Sequence, residues 1–253
     1  MKATEFSQLL SELGACVEAS AWSKGKSLSA AWKDSNRGDW MLWLCGRMAD
    51  KPGWPTRKEV VLAACDCAEL ALKHVPAGED RPRKCIETVR AWAAGTATLD
   101  DVLTARRAAA AYAADAYAAD AYAASYAAYA AYTAAYAAYA TDAAYAADYA
   151  ASYTAAYAAY SAAAYTAYAT DATDNRVRTK TLAKCADLVR DRLQIPGGLT
   201  MLLRKGSRDN NMQHKAKHVG WHFRVNCGLV KPEKILDISS VWRNLTPLEK
   251  NNE

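Results

Sequence analysis

The chain has 253 residues, with 32 Lys and Arg against 27 Asp and Glu, for a net charge of +5. Its hydrophobic share of 52% and mean hydropathy of -0.24 read as a soluble globular protein, though the share is supplied by alanine and tyrosine more than by leucine and isoleucine. No run approaches the ~18 apolar residues of a membrane span, and Lys2, Glu5 and Glu12 interrupt any signal-like start, so a cytoplasmic location with no membrane contact is expected.

In chain order, helical spacing is read over residues 4–21, 28–33, 38–49, 56–75 and 82–94. Lys24-Gly25, Pro52-Gly53 and Pro76-Ala77-Gly78 separate them. Asp39 is read as an N-cap before Trp40, and Glu79 or Asp80 as a cap with Pro82 at the helix start. Arg83 and Glu87 stand at i, i+4 as a candidate ion pair. Seven cysteines at irregular spacing do not make a disulfide framework and are read as small buried hydrophobes. Cys65 and Cys67 have no second pair at ligand spacing, so packing is preferred to zinc.

All seven prolines and twelve glycines lie outside residues 96–195, which predicts a long helical stretch. Within it, residues 108–172 hold 37 Ala, 15 Tyr, 5 Asp, 5 Thr and 3 Ser, and they contain every tyrosine of the protein. Repeats such as AYAAD-AYAAD over residues 111–120 point to expansion of a short unit. Alanine has the best helix propensity and tyrosine supplies burial, so folded helix is predicted rather than disorder. Tyr145, Tyr149, Tyr153, Tyr157 and Tyr160 fall within an arc of about 120°. As one rod these 65 residues would extend roughly 100 Å, so an antiparallel hairpin is expected, with Thr141-Asp142 as a turn candidate. Alanines would let its axes close up while tyrosines fill the seam. The sharper reading gives Tyr145, Tyr149 and Tyr153 to a partner or ligand. Ice binding is set aside because the threonines have no constant period.

Residues 176–193 read as a closing amphipathic helix stopped by Pro196. Splitting the charge at residue 175 gives 16 cations against 20 acids before it (-4) and 16 against 7 after it (+9). The basic tail mixes cations with aromatics: Lys205, Trp221 and Arg224 are candidate contacts. It suits nucleic acid, an acidic partner, or docking onto the chain's own acidic body. His214, His218 and His222 stand four apart, but Gly220 weakens that helix and no carboxylate completes the set, so no metal is assigned. Residues 219–230 are the candidate strand pair.

Ala21-Trp22, Ala31-Trp32 and the run from Arg37 to Leu44, then Glu59 to Cys65, resemble the opening helices of the immunity-protein-five-like family of bacteria and their phages. The stretch from Val75 through Glu79-Asp80-Arg81-Pro82-Arg83-Lys84 and Ala91-Trp92 to Gly95 is the specific part of that resemblance. It covers roughly residues 10–195. It implies an alanine-rich helical region after Leu99, a closing helix, and neutralisation of a toxin without catalytic residues. The tyrosine content and residues 197–253 depart from the family's pattern.

The reading is therefore all-α: a multi-helix bundle over residues 1–195 with a long Ala/Tyr-rich antiparallel helical hairpin, and a small basic C-terminal appendage over 196–253. No nucleophile motif or phosphate-cradling loop is present, so a non-enzyme without cofactor is expected. The favoured function is stoichiometric inhibition of a toxin or defence protein. The alternatives are a sponge in which Arg81 and Arg83 hold a small anionic nucleotide-like ligand, and nucleic-acid binding through residues 197–253. Asp39, Trp40, Arg81, Arg83 and Glu87 are the candidate contacts on the body.

Overall fold

The computed structural model describes residues 1–118, 131, 134, 136–138, 158 and 175–196. The predicted hairpin turn, the stripe of Tyr145, Tyr149 and Tyr153, the histidine series, the strand pair and the tail residues Lys205, Trp221 and Arg224 lie outside the described residues. Among the described residues every regular element is a helix, and together they form an all-α bundle. In our numbering these are α1 Ala3–Leu13, α2 Val17–Ser23, α3 Leu28–Asp34, α4 Gly38–Met48, α5 Arg57–Glu69, α6 Arg81–Ala93, α7 Leu99–Ala118 and α8 Asn175–Arg192. A 3-10 turn, Leu72–His74, follows α5.

The helix starts are chemically marked. Thr56 and Glu59 cap α5 reciprocally: Thr56 N–H donates to Glu59 Oε2 at 2.7 Å, and Glu59 N–H donates to Thr56 Oγ1 at 3.3 Å. Thr98 and Asp101 do the same for α7, and the Thr98 hydroxyl and backbone N–H hold the Asp101 carboxyl below its ordinary range. The helix expected over 4–21 is instead two, because Gly14 adopts φ 75 and ends α1 in a left-handed cap whose N–H bonds back to Leu10 and Ser11. At α4 the cap position belongs to Arg37, and Asp39, the expected N-cap, lies inside the first turn two residues further in.

Helix α5 is the centre of the bundle, packed against α4, α6 and α8. Contact on three sides requires burial nearly all round, and its small residues Ala63, Ala64, Cys65, Cys67 and Ala68 are fully buried. Small side chains there let three helices approach at once. Helix α6 contributes Cys85, Ile86, Val89 and Trp92, and α8 contributes Leu182, Cys185, Ala186 and Val189, each set at helical spacing.

In the repeat, the described interface is mostly alanine. Ala109, Ala131, Ala134, Ala137, Ala138 and Ala158 are fully buried in the main core, and Cys85 Sγ donates to the Ala131 carbonyl at 3.6 Å. Tyr112 is buried with Ala113 and Ala116 against Val75. Tyr136 is half-buried beside the Arg106 guanidinium, 5.3 Å from its ring centre. Among the described residues of the repeat, close packing is thus made by alanine together with Tyr112.

The tightest approach is between α4 and α8. A Cβ added at Gly38 would lie 2.5 Å from Cys185 Cβ and 2.7 Å from the Ala186 nitrogen. Gly38→Ala should therefore lower stability by about 1–3 kcal/mol in urea denaturation, through overpacking against backbone. Elsewhere in a helix the same change stabilises, so the sign decides whether the two backbones touch.

Candidate functional site

Three groups of polar and aromatic side chains are built on this frame. The first lies where α2, α3 and the start of α4 meet. Trp22 and Trp40 pack with ring centres 6.0 Å apart at 57°, Lys26 sits 5.0 Å from the Trp22 ring, and the Arg37 guanidinium lies 4.1 Å from the Trp40 ring. Arg37 also holds Asp39 bidentately, Nε to Oδ1 at 2.8 Å and Nη2 to Oδ2 at 2.6 Å. Asp39 is buried, whereas Trp22, Lys26, Arg37 and Trp40 are half-exposed. The Trp40 indole N–H is buried without an acceptor among the described residues.

This row is held in place from behind. Arg190 of α8 donates to the Trp32 carbonyl at 3.1 Å and the Ser35 carbonyl at 2.7 Å, fixing the α3–α4 connection. Ser35 Oγ in turn accepts the Arg37 N–H at 3.2 Å. Lys26 is paired with Asp34 at 2.9 Å, which pulls the Asp34 carboxyl below its usual range. The result is a rigid strip of two tryptophans faced by two cations, each cation balanced by its own carboxylate.

The second group surrounds Arg81 at the start of α6. Glu79 accepts from Arg81 Nε at 2.9 Å and Nη2 at 2.7 Å, and also from its backbone N–H at 2.9 Å, so Glu79 satisfies the first N–H of α6 while Asp80 holds the N-cap position without a side-chain bond. These bonds draw the Glu79 carboxyl below its ordinary range. Asp115 adds a 3.6 Å contact, and the Tyr112 ring lies 4.9 Å beneath the guanidinium. Arg83 and Glu87 are exposed on α6, away from this cluster. The i, i+4 ion pair seen on this turn is Lys84 with Asp80 at 2.6 Å, in place of the expected Arg83 with Glu87.

The third group is an ion network around Asp66 that the sequence reading missed. Arg90 of α6 donates to Asp66 Oδ1 at 2.9 Å and to Glu69 Oε2 at 2.8 Å. Arg192 of α8 donates to both Asp66 oxygens, through Nη2 to Oδ1 at 3.1 Å and through Nε to Oδ2. Asp66 and Glu69 sit in the last turn of α5, where the helix dipole disfavours negative charge, so the two arginines offset an otherwise adverse placement. Glu69 is pulled below its ordinary range, chiefly by its hydrogen bonds from Arg90. Beside this network an open groove of about 680 Å³ runs between α5 and α8.

The cysteines flanking Asp66 face the opposite way. Cys65 and Cys67 are fully buried, and burial pushes the Cys65 thiol upward and the Cys85 thiol up to about 12. Among the described residues no group of three or more His, Cys, Asp and Glu side chains could hold a metal ion, and no helix is long and apolar enough to cross a membrane.

No protein-family model, no curated protein and no solved structure matches this chain.

Two outcomes check these assignments. Asp66→Ala should cost about 1–3 kcal/mol, because it strips one partner from two arginines at once; a smaller loss in denaturant titration would mean that the network is incidental. Glu69 has a folded pKa below its ordinary 4.5, so its contribution is present above that pH and is lost as pH falls through the depressed value. Stability measured from about pH 6 down to about pH 3 should fall less steeply in Glu69→Gln than in the parent.

Proposed function

We propose that this chain is a non-catalytic binding protein of the immunity type, which neutralises a toxin or defence protein in the cytoplasm by occupying its surface. The observation that carries this reading is the Lys26, Trp22, Trp40, Arg37 strip: half-exposed tryptophan and arginine side chains on a rigid helical support. Such residues dominate binding energy at interfaces because large rigid rings bury much area with little entropy to lose. The strip also falls within the segment whose sequence resembles the immunity-protein-five-like family.

The sponge reading has weaker support. It needs Arg81 and Arg83 together, yet Arg81 is occupied by Glu79 and Asp115 while Arg83 is exposed and acts on Glu69. The nucleic-acid reading rests on residues 197–253 and draws nothing from the body.

Affinity capture from lysate of the native host with the intact protein should enrich one protein, and the purified pair should then bind at a one-to-one ratio. Trp40→Ala should weaken that binding at least tenfold, with circular dichroism checking that the bundle is retained. Lys26→Ala, on the exposed rim, should slow association with little change in dissociation. Equal affinity for the parent and both variants would remove the strip from the interface and with it this proposal.

A further inference from the structure

The α5–α8 groove is a separate feature, independent of the tryptophan strip. Its walls are Leu70 and Leu188, and its rim carries Asp66, Glu69, Asp191 and Arg192. Asp66 is satisfied by Arg90 and Arg192 and Glu69 by Arg90, whereas Asp191 is exposed and no cation among the described residues is paired with it. The carboxyl end of α5 also opens here with no basic residue in its last turn, so its terminal carbonyls add negative potential. The groove therefore combines an apolar floor with a rim that favours a cation.

The chain itself supplies a matching segment. Residues 197–205 read GGLTMLLRK: two glycines, an apolar run of leucine and methionine, then Arg204-Lys205. They follow Pro196, only five residues beyond Asp191. Nine residues can extend about 30 Å, enough to turn back along α8, and the glycine pair suits such a reversal. Tethering at this length gives an effective concentration of roughly millimolar, so a weak contact is enough.

We propose that residues 199–205 dock in the α5–α8 groove of their own chain, with the apolar run on Leu70 and Leu188 and with Arg204 or Lys205 on Asp191. The basic tail is then anchored at its root.

The test uses the intact protein. Zero-length carbodiimide coupling at low concentration, read by peptide mass spectrometry, should join Lys205 to Asp191 within one chain. A mixture of light and isotope-heavy protein separates coupling within a chain from coupling between chains. In the full-length Arg204→Glu, Lys205→Glu double variant, amide hydrogen exchange over residues 66–70 and 188–192 should quicken at least fivefold while α6 is unchanged. The variant leaves the bundle's own residues untouched, so a folding defect does not confuse the result. Exchange unaltered by the variant, coupling to carboxylates elsewhere, or coupling only between chains would each overturn the proposal.

Discussion

The docking of α8 onto α4 and α5 is the constraint on which the rest of the bundle depends. Three kinds of interaction converge on it: backbone touching backbone at Gly38, the Cys67 thiol donating to the Cys185 carbonyl in the core, and the Asp66–Arg192 ion pair at the end of α5. Each is weak alone. Together they place Arg190 under the α3–α4 connection, and that placement presents Arg37, Trp40 and Trp22 as a fixed row. A surface feature built from α2 and α4 is thus positioned by a helix more than 130 residues later in the chain.

The charge arrangement follows the same logic. Arg90 links α6 to α5, Arg192 links α8 to α5, and both meet at Asp66, the least exposed carboxylate of the set at 13%. Partial burial lowers the local dielectric and strengthens the pairs, but it makes the removal of one member costly. Around the rim the pairs are more exposed and contribute less. The Asp66 network therefore ties α5, α6 and α8 together.

Much of the architecture was legible from local chemistry. Thr56 with Glu59 marks the start of α5, Pro82 the start of α6, and the spacing of Leu182, Cys185, Ala186 and Val189 the buried face of α8. Helix boundaries are decided within a few residues, so the sequence carries them. The break at Gly14 was missed because apolar spacing continues across it, and only the left-handed φ of that residue ends the helix. The site was less legible. Asp39 and Trp40 were singled out for their types, and the structure joins them with Arg37; Trp22 comes from a different helix. Asp66 was read through its cysteine neighbours because its true partners are 24 and 126 residues away. The close approach expected of alanine is seen at Ala131, Ala134, Ala137 and Ala138, while the tyrosine stripe lies outside the described residues.

The order in which the ribosome delivers these elements has its own consequence. The α5 residues that meet α8 precede their partners by 118 and 126 residues. At about 5–20 residues per second of synthesis, α4 and α5 would wait roughly 6–25 seconds with an apolar face uncovered. A nascent chain in that interval presents Met41, Cys67 and Ala68 to chaperones and to its own neighbours on a polysome. Yield in the cell should then respond to translation speed and chaperone supply as strongly as to the stability of the finished bundle.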